Sequence, residues 1–440
     1  MTELAASSKK DLTLLRNLHI STLMYELYTI REVVRQHDIT LNEETEKEGE
    51  GKKKLVAFDS PELLCLTKDG GPLDEFQSRA LKYPISYTNL LEFLKKNRQF
   101  FKQKPGKATY LFNSECEGKL PYNYPPLSIE MNLTEIHDDA EVWEFDDRFH
   151  GKDLIYAIIV NRTRKRVNLS FRGTASANDL MMDIKFLFKR IECITKFAGK
   201  DVKVHKGFSE YLFSNNSKVG QKSKSKYECI CENLNTIYST RDEQGNEIYR
   251  DFELTTTGHS LGGALAQLFA YTFAGSKELT DLNQSTQGPE HILIPKPITV
   301  ITFASPTIGK KHYVKSFQKL ERDGELRHLR VSNCGDIIPG FGKHCGVSIH
   351  LYEVKKAKIK YGNSVIIIRR LMRSCRKPAK LLINHNLQTY LDRISLDDNS
   401  YLLHMSIEDF YEVSHANAVF KRQTMRQNMI RKFARRTFLG

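Results

Sequence analysis

The chain has 440 residues, 40% of them hydrophobic and 27% charged, which excludes wholesale disorder and fibrous or collagen-like architectures. At about 150 residues per domain the length fits two to three domains, or one large α/β domain with extensions. The net charge of +14 favours anionic partners such as nucleic acid or an acidic membrane surface, and says nothing about fold.

No apolar run approaches the ~18 residues of a membrane span. Glu3, Lys9, Lys10, Asp11, Arg16 and Glu26 interrupt the first thirty residues, so no secretory h-region can be drawn there. Eight cysteines are sparse for this length, and Cys229 and Cys231, two apart in a helical-looking stretch, point to different faces. The expectation is a soluble, cytoplasmic protein with reduced thiols.

In chain order, residues 1–130 form an extension without a chemical motif. Leu12, Leu15, Leu18, Leu23, Leu27 and Ile30 space an amphipathic helix from Leu12 to Val34. A charge-rich linker follows from Asn42 to Lys54, and a second helix fits Leu90 to Phe101. Residues 131–395 change character. Leu154–Val160, Val167–Phe171, Glu253–Thr257, Ile298–Phe303 and Leu326–Val331 read as buried strands, several followed by small residues and a helical stretch. That alternation predicts an α/β fold, a mainly parallel sheet with helices on both faces. Lys218, Lys222, Lys224 and Lys226 mark an exposed insertion. Residues 396–440 form a basic C-terminal tail: no acidic residue follows Glu412, while Lys421, Arg422, Arg426, Arg431, Lys432, Arg435 and Arg436 supply half of the net charge.

The chemistry starts at Gly258-His259-Ser260-Leu261-Gly262, a G-x-S-x-G turn between the strand ending at Thr257 and a helix over Ala264–Ala274. Such a turn needs glycine on both sides, because a Cβ there would strike neighbouring backbone, and it sets a serine hydroxyl at a helix N-terminus. Roughly 0.1 such pentapeptides would occur by chance in a chain of this length at average residue usage. Ser260 is therefore the candidate nucleophile. The backbone N–H of Leu261, next in the chain, is one oxyanion donor. Phe171-Arg172-Gly173-Thr174, at the end of an earlier strand, offers Thr174 as a second, which spacing alone leaves open.

With these residues the chain resembles the fungal-type (class three) lipase family of α/β-hydrolases. The matching segments, in the family's order, are Phe171-Arg172-Gly173-Thr174, Val204-His205-Lys206-Gly207-Phe208, Thr257 to Gly263, Thr302 to Gly309, and Asn333-Cys334-Gly335-Asp336-Ile337-Ile338-Pro339. The resemblance covers about residues 150–395 and implies an α/β-hydrolase fold with Thr174 as oxyanion donor. Ala304-Ser305-Pro306-Thr307 departs from the family's usual Gly-Ser-Pro-Arg. The catalytic acid should follow a strand after the nucleophile, and Asp336 does so at the family's aspartate position; a plain surface turn is the alternative. The base must come later still, and His344, His350, His385, His404 and His415 all qualify by order. His344 reads as part of a turn and His350 as a packed strand residue. His385 opens a loop-to-helix junction that resembles the family's terminal histidine segment, and is preferred. His205 and His259 read as structural.

The apolar stretch from Leu180 to Phe197 corresponds to the family's mobile lid or to an ordinary core helix. No Cys/His set has metal-ligand spacing, and neither a phosphate-binding loop nor a dinucleotide fingerprint is present, so no metal and no cofactor are expected. The leading reading is a serine carboxylic-ester hydrolase acting on triacylglycerol, other acylglycerols or related lipids, with phospholipase or galactolipase as the alternative within the class. The competing class is a non-catalytic membrane- or nucleic-acid-binding protein on a hydrolase scaffold; against nucleic acid, the basic residues lack interleaved aromatics. Met425, Met429 and Phe433 recur every four residues among basic ones, so residues 417–440 fit a helix lying on an anionic membrane, peripheral to a bilayer or lipid droplet, or a helix docked on the protein's own core.

Overall fold

Short turns and long crossovers divide the sheet in two. The computed structural model describes residues 12–25, 85–86, 140–146, 154–173, 191–214, 224–275, 294–340, 343–353, 358–361 and 384–416. Strands β1 (Ile85–Ser86), β2 (Ala140–Asp146), β3 (Tyr156–Asn161) and β4 (Arg166–Phe171) pair antiparallel. A turn over 162–165 joins β3 to β4, too short for any crossover and therefore committed to antiparallel pairing. From β4 onward the strands run parallel: β7 (Glu253–His259), β8 (Ile298–Phe303), β9 (Leu326–Asn333) and β10 (Val347–Leu351), before β11 (Lys358–Tyr361) closes the edge antiparallel. The expected parallel sheet is thus the centre of a nine-stranded mixed one.

Both faces are covered. Tyr156, Ile158 and Val160 of β3 face a cluster with helices α3 (Lys226–Tyr238), α4 (Leu261–Gly275) and α5 (Lys311–Arg322). Ala157 and Ile159 alternate to the opposite face, where they meet the helical stretch 13–25, here α1, together with α6 (Leu387–Ile394) and residues Leu402, Ile407 and Phe410. The packed chain therefore runs past residue 395, and the basic stretch 417–440 lies outside the described residues. So do the linker 42–54 and the stretch 90–101. Among the described residues no helix is long and apolar enough to cross a membrane. Cys229, Cys231, Cys334 and Cys345 are reduced thiols.

Three expectations change. Helix α1 is buried on all sides rather than amphipathic. Three of its polar side chains bond back to their own helix, Asn17 Nδ2 to the Thr13 carbonyl, Ser21 Oγ to the Asn17 carbonyl and Thr22 Oγ1 to the Leu18 carbonyl, so these donors are paired despite burial. The stretch read as lid or core helix ends in strand: β5 (Ile191–Phe197) pairs antiparallel with β6 (Lys200–His205) in a separate two-stranded sheet. Ala198 and Gly199, both at positive φ (48° and 72°), close a two-residue hairpin of the kind whose twist matches the strands. A bulge between Cys193 and Thr195 breaks the strict alternation, which is why Ile191, Ile194 and Phe197 imitate helical spacing. Residues 174–190 lie outside the described set. The lysine run also ends differently, since Lys226 is buried and holds Asp146 of β2 at 3.0 Å.

Candidate active site

Parallel register brings three strand ends to one place. Phe171 pairs with Gly258, His259 with Phe303, and Phe303 with Val331, so the chain leaves β4, β7 and β9 on the same carboxyl edge. After β7 it turns sharply. Ser260 has φ 57°, a left-handed conformation costing about 1–2 kcal/mol for a residue with a Cβ. Its N–H is held by the Phe303 carbonyl at 2.9 Å, and its carbonyl accepts from Gly263 and Ala264 at 3.0 and 3.2 Å. A Cβ at Gly258 would strike the backbone of Gly262, and one at Gly262 the carbonyl of Phe171. Both glycines are required for this turn to approach β4 so closely. Leu261 opens α4, so its N–H has no carbonyl one turn earlier to donate to.

Ser260 Oγ lies 2.8 Å from His385 Nε2. His385 Nδ1 lies 2.9 and 3.1 Å from the two oxygens of Asp336. A carboxylate only accepts, so Nδ1 carries the proton and Nε2 turns its lone pair toward the serine hydroxyl. All three side chains are buried. Asp336 accepts two further hydrogen bonds, from the Ile338 N–H at 3.0 Å and the Tyr390 hydroxyl at 2.8 Å. Tyr390 in turn accepts from the Asn333 N–H at 3.0 Å, and burial, before the Asp336 charge, pushes its phenol pKa well up. Arg393 ties the two loops together, donating to the Cys334 carbonyl at 3.0 Å and to Asn384 Oδ1 at 2.6 Å.

The other histidines sit elsewhere. His344 Nδ1 meets Thr307 Oγ1 at 3.4 Å, and burial pushes its pKa well below the usual value. His350 bonds Ser332 Oγ at 2.9 Å, while His404 and His415 are exposed. His205 precedes helix α2 (Lys206–Phe213) and packs on Phe208. His259 turns away from Ser260 Oγ: its Nε2 lies 2.8 Å from the His385 carbonyl oxygen and its Nδ1 3.1 Å from the Tyr25 hydroxyl. Thr174 lies outside the described residues. Its neighbour Gly173 lies against Ser260, a Cβ at that position falling 3.4 Å from Ser260 Cβ. Among the described residues no group of three or more His, Cys, Asp or Glu could hold a metal ion.

Sequence reasoning missed Tyr390, Arg393 and Tyr25. The first two lie on the helix just after His385 and face the loop carrying Asp336, a signal available from the i, i+3 spacing alone. Tyr25 is 234 residues from its partner and carries no local signature.

A serine on a positive-φ turn at the carboxyl edge of a parallel sheet, followed in the chain by an aspartate and a histidine that meet it, is the arrangement of the α/β-hydrolase fold. Residues 168–343 match the family model described as lipase (class 3). The match contains Thr174, Ser260, Leu261 and Asp336 and ends before His385. Phospholipase A1-II 6 of Oryza sativa subsp. japonica is 26% identical over 239 residues, 53% of this chain and 51% of that protein. Galactolipase DONGLE, chloroplastic, of Arabidopsis thaliana is 28% identical over 183 residues, 40% and 34% of the two chains. The chain thus spans about half the length of the first of these curated relatives and a third of the second. The solved structure of Lip2 lipase from Yarrowia lipolytica, 20% identical, covers 57% of this chain and 80% of its own with a TM-score of 0.38.

Proposed function

We propose that the protein is a serine carboxylic-ester hydrolase acting on lipid esters. The observation that carries this reading is the continuous line from Ser260 Oγ through His385 to Asp336, with contacts of 2.8 and 2.9 Å. In the proposed reaction Ser260 attacks the ester carbonyl while His385 Nε2 takes its proton. The imidazolium is then stabilised by Asp336, and returns the proton to the leaving alcohol. Water, deprotonated by the same imidazole, releases the acid from the acyl-enzyme. The Leu261 N–H and, as the family resemblance implies, Thr174 hold the oxyanion. No cofactor is required.

Acylglycerols, triacylglycerol included, are the first substrate class. Polar glycerolipids are the second, favoured by relatives named phospholipase A1 and galactolipase. The test is a hydrolysis panel of triacylglycerol emulsion, phosphatidylcholine and galactolipid, run with the parent and Ser260→Ala. Ser260→Ala should keep the parent's circular dichroism and lose at least ~10³-fold in turnover. Equal rates for the two proteins would refute the site, and the hydrolysed member of the panel decides the class. The basic residues of 417–440 would add up to ~1 kcal/mol each near an anionic bilayer; deleting that stretch should weaken sedimentation with phosphatidylserine vesicles and leave phosphatidylcholine vesicles unaffected.

A further inference from the structure

Helix α1 reaches the base of the relay from outside the family-matched residues. Tyr25, at the end of the described helix, is buried, and its hydroxyl lies 3.1 Å from His259 Nδ1, the rings meeting edge-on at 6.0 Å. His259 Nε2 lies 2.8 Å from the backbone carbonyl of His385, and the two imidazoles are 4.9 Å apart. The direction of the bonds follows from chemistry. A carbonyl oxygen only accepts, so Nε2 carries the proton. Burial, ahead of the His385 charge, holds the His259 pKa well below its ordinary value, so Nδ1 keeps its lone pair and Tyr25 donates to it.

The same hydroxyl also presses on the oxyanion side. A Cβ at Gly173 would fall inside the contact distance of the Tyr25 hydroxyl and of the His259 carbonyl. Tyr25 thus lies between the end of β4, which leads into Thr174, and the histidine that holds the base loop.

We infer that Tyr25 and His259 are positioning residues for the proposed hydrolysis: the Tyr25 hydroxyl fixes the His259 tautomer, and His259 then holds the His385 backbone so that Nε2 faces Ser260. This rests on the reading of Ser260, His385 and Asp336 as the triad. Without the Tyr25 donor, His259 gains a second neutral tautomer that has no proton for the His385 carbonyl. The loop carrying His385 then loses a buried hydrogen bond, while Ser260, Asp336 and the substrate-facing groups keep theirs. The loss belongs in kcat rather than KM, because the base acts on the proton and not on the bound ester.

The test uses the full chain with Tyr25→Phe, His259→Leu, the double variant and Ser260→Ala on p-nitrophenyl butyrate, together with ¹⁵N spectra of the histidine rings. Tyr25→Phe should lower kcat about tenfold, one buried hydrogen bond's worth, with KM within about twofold of the parent. The double variant should turn over no more slowly than His259→Leu alone, since the two act as one chain. The His259 ring should be a single Nε2–H tautomer in the parent and a mixture in Tyr25→Phe. His259→Gln, which keeps a donor and an acceptor, should recover part of what His259→Leu loses. A Tyr25→Phe protein of parental kcat, or losses that multiply in the double variant, would overturn the inference while leaving the triad in place. A Ser260→Ala protein as fast as the parent would instead remove the triad, and this inference with it.

Discussion

His344 and His385 both follow Asp336 in the chain, yet their surroundings differ in kind. His385 has a carboxylate on one nitrogen and the Ser260 hydroxyl on the other. His344 faces Thr307, and the Arg330 charge adds to burial in keeping it neutral. His385→Ala should therefore cost on the order of 10⁶ in kcat/KM, as removal of a triad base does elsewhere. Asp336→Asn should cost less, on the order of 10⁴, because Tyr390 can still donate to the amide oxygen and the nucleophile stays in place, while the imidazole loses its orienting acceptor. His344→Ala should stay within a few-fold of the parent and show only lower stability. A soluble short-chain ester is the right substrate, since it needs no lipid interface; a dead His344→Ala beside an active His385→Ala would require rethreading the loop between them.

At the scale of elements, Lys226 shows what a sequence pattern conceals. In the run from Lys218 it reads as one more solvated lysine, but a capping box turns the chain into α3 just before it: Ser225 Oγ accepts from the Glu228 N–H and Glu228 returns to the Ser225 N–H at 2.7 Å. The first residue of the helix is thereby aimed at Asp146, whose side chain is fully buried. Lys226→Met should cost about 3–5 kcal/mol in urea unfolding, because it strips a buried carboxylate of its ammonium, while Lys226→Met with Asp146→Leu should recover most of that loss. An equal loss in the double variant would show that packing, not charge, holds the contact. Legibility followed the same line between local and distant causes. The elbow at Ser260 was readable because its signature is five consecutive residues, even though Gly262 answers to the distant Phe171 carbonyl. The central strands were readable because short runs rich in apolar and β-branched residues, such as Ile298–Phe303, lead into small residues and a helical stretch. The β5–β6 hairpin was not, since a bulge gave its apolar residues helical spacing, and Tyr25 was not, since only tertiary packing brings α1 to His259. Asp336 and His385 lay between: order and family resemblance proposed them, but nothing in their own neighbourhoods singled them out.

Across the whole molecule, the buried histidines tie stability to pH. Burial lowers His19 on α1 to about 4 and His328 on β9 to about 3, and holds His259 and His344 well below the ordinary 6.5. These groups are neutral in the folded chain, whereas the unfolded chain binds protons at them once the pH drops below about 6.5. Their contribution is therefore complete above pH 6.5 and is lost as the pH falls from there toward the folded values, at up to about 1.4 kcal/mol per pH unit for each histidine. Asp242 and Asp251 are lowered too, by the Asn246 backbone N–H and by Lys165 respectively; a lowered carboxylate also loses stability as the pH falls, but these two are exposed and lie on the acid side of this window, so they add little within it. The melting temperature should be nearly flat from pH 8 to 7 and fall steeply between pH 6 and 5. His19→Gln, which removes one of these groups from the titration, should take up about one proton fewer on unfolding at pH 5. Calorimetry across that range decides the matter: a melting temperature that holds level down to pH 5 would mean that these histidines are already charged in the fold, and that water reaches the interior between α1 and the sheet.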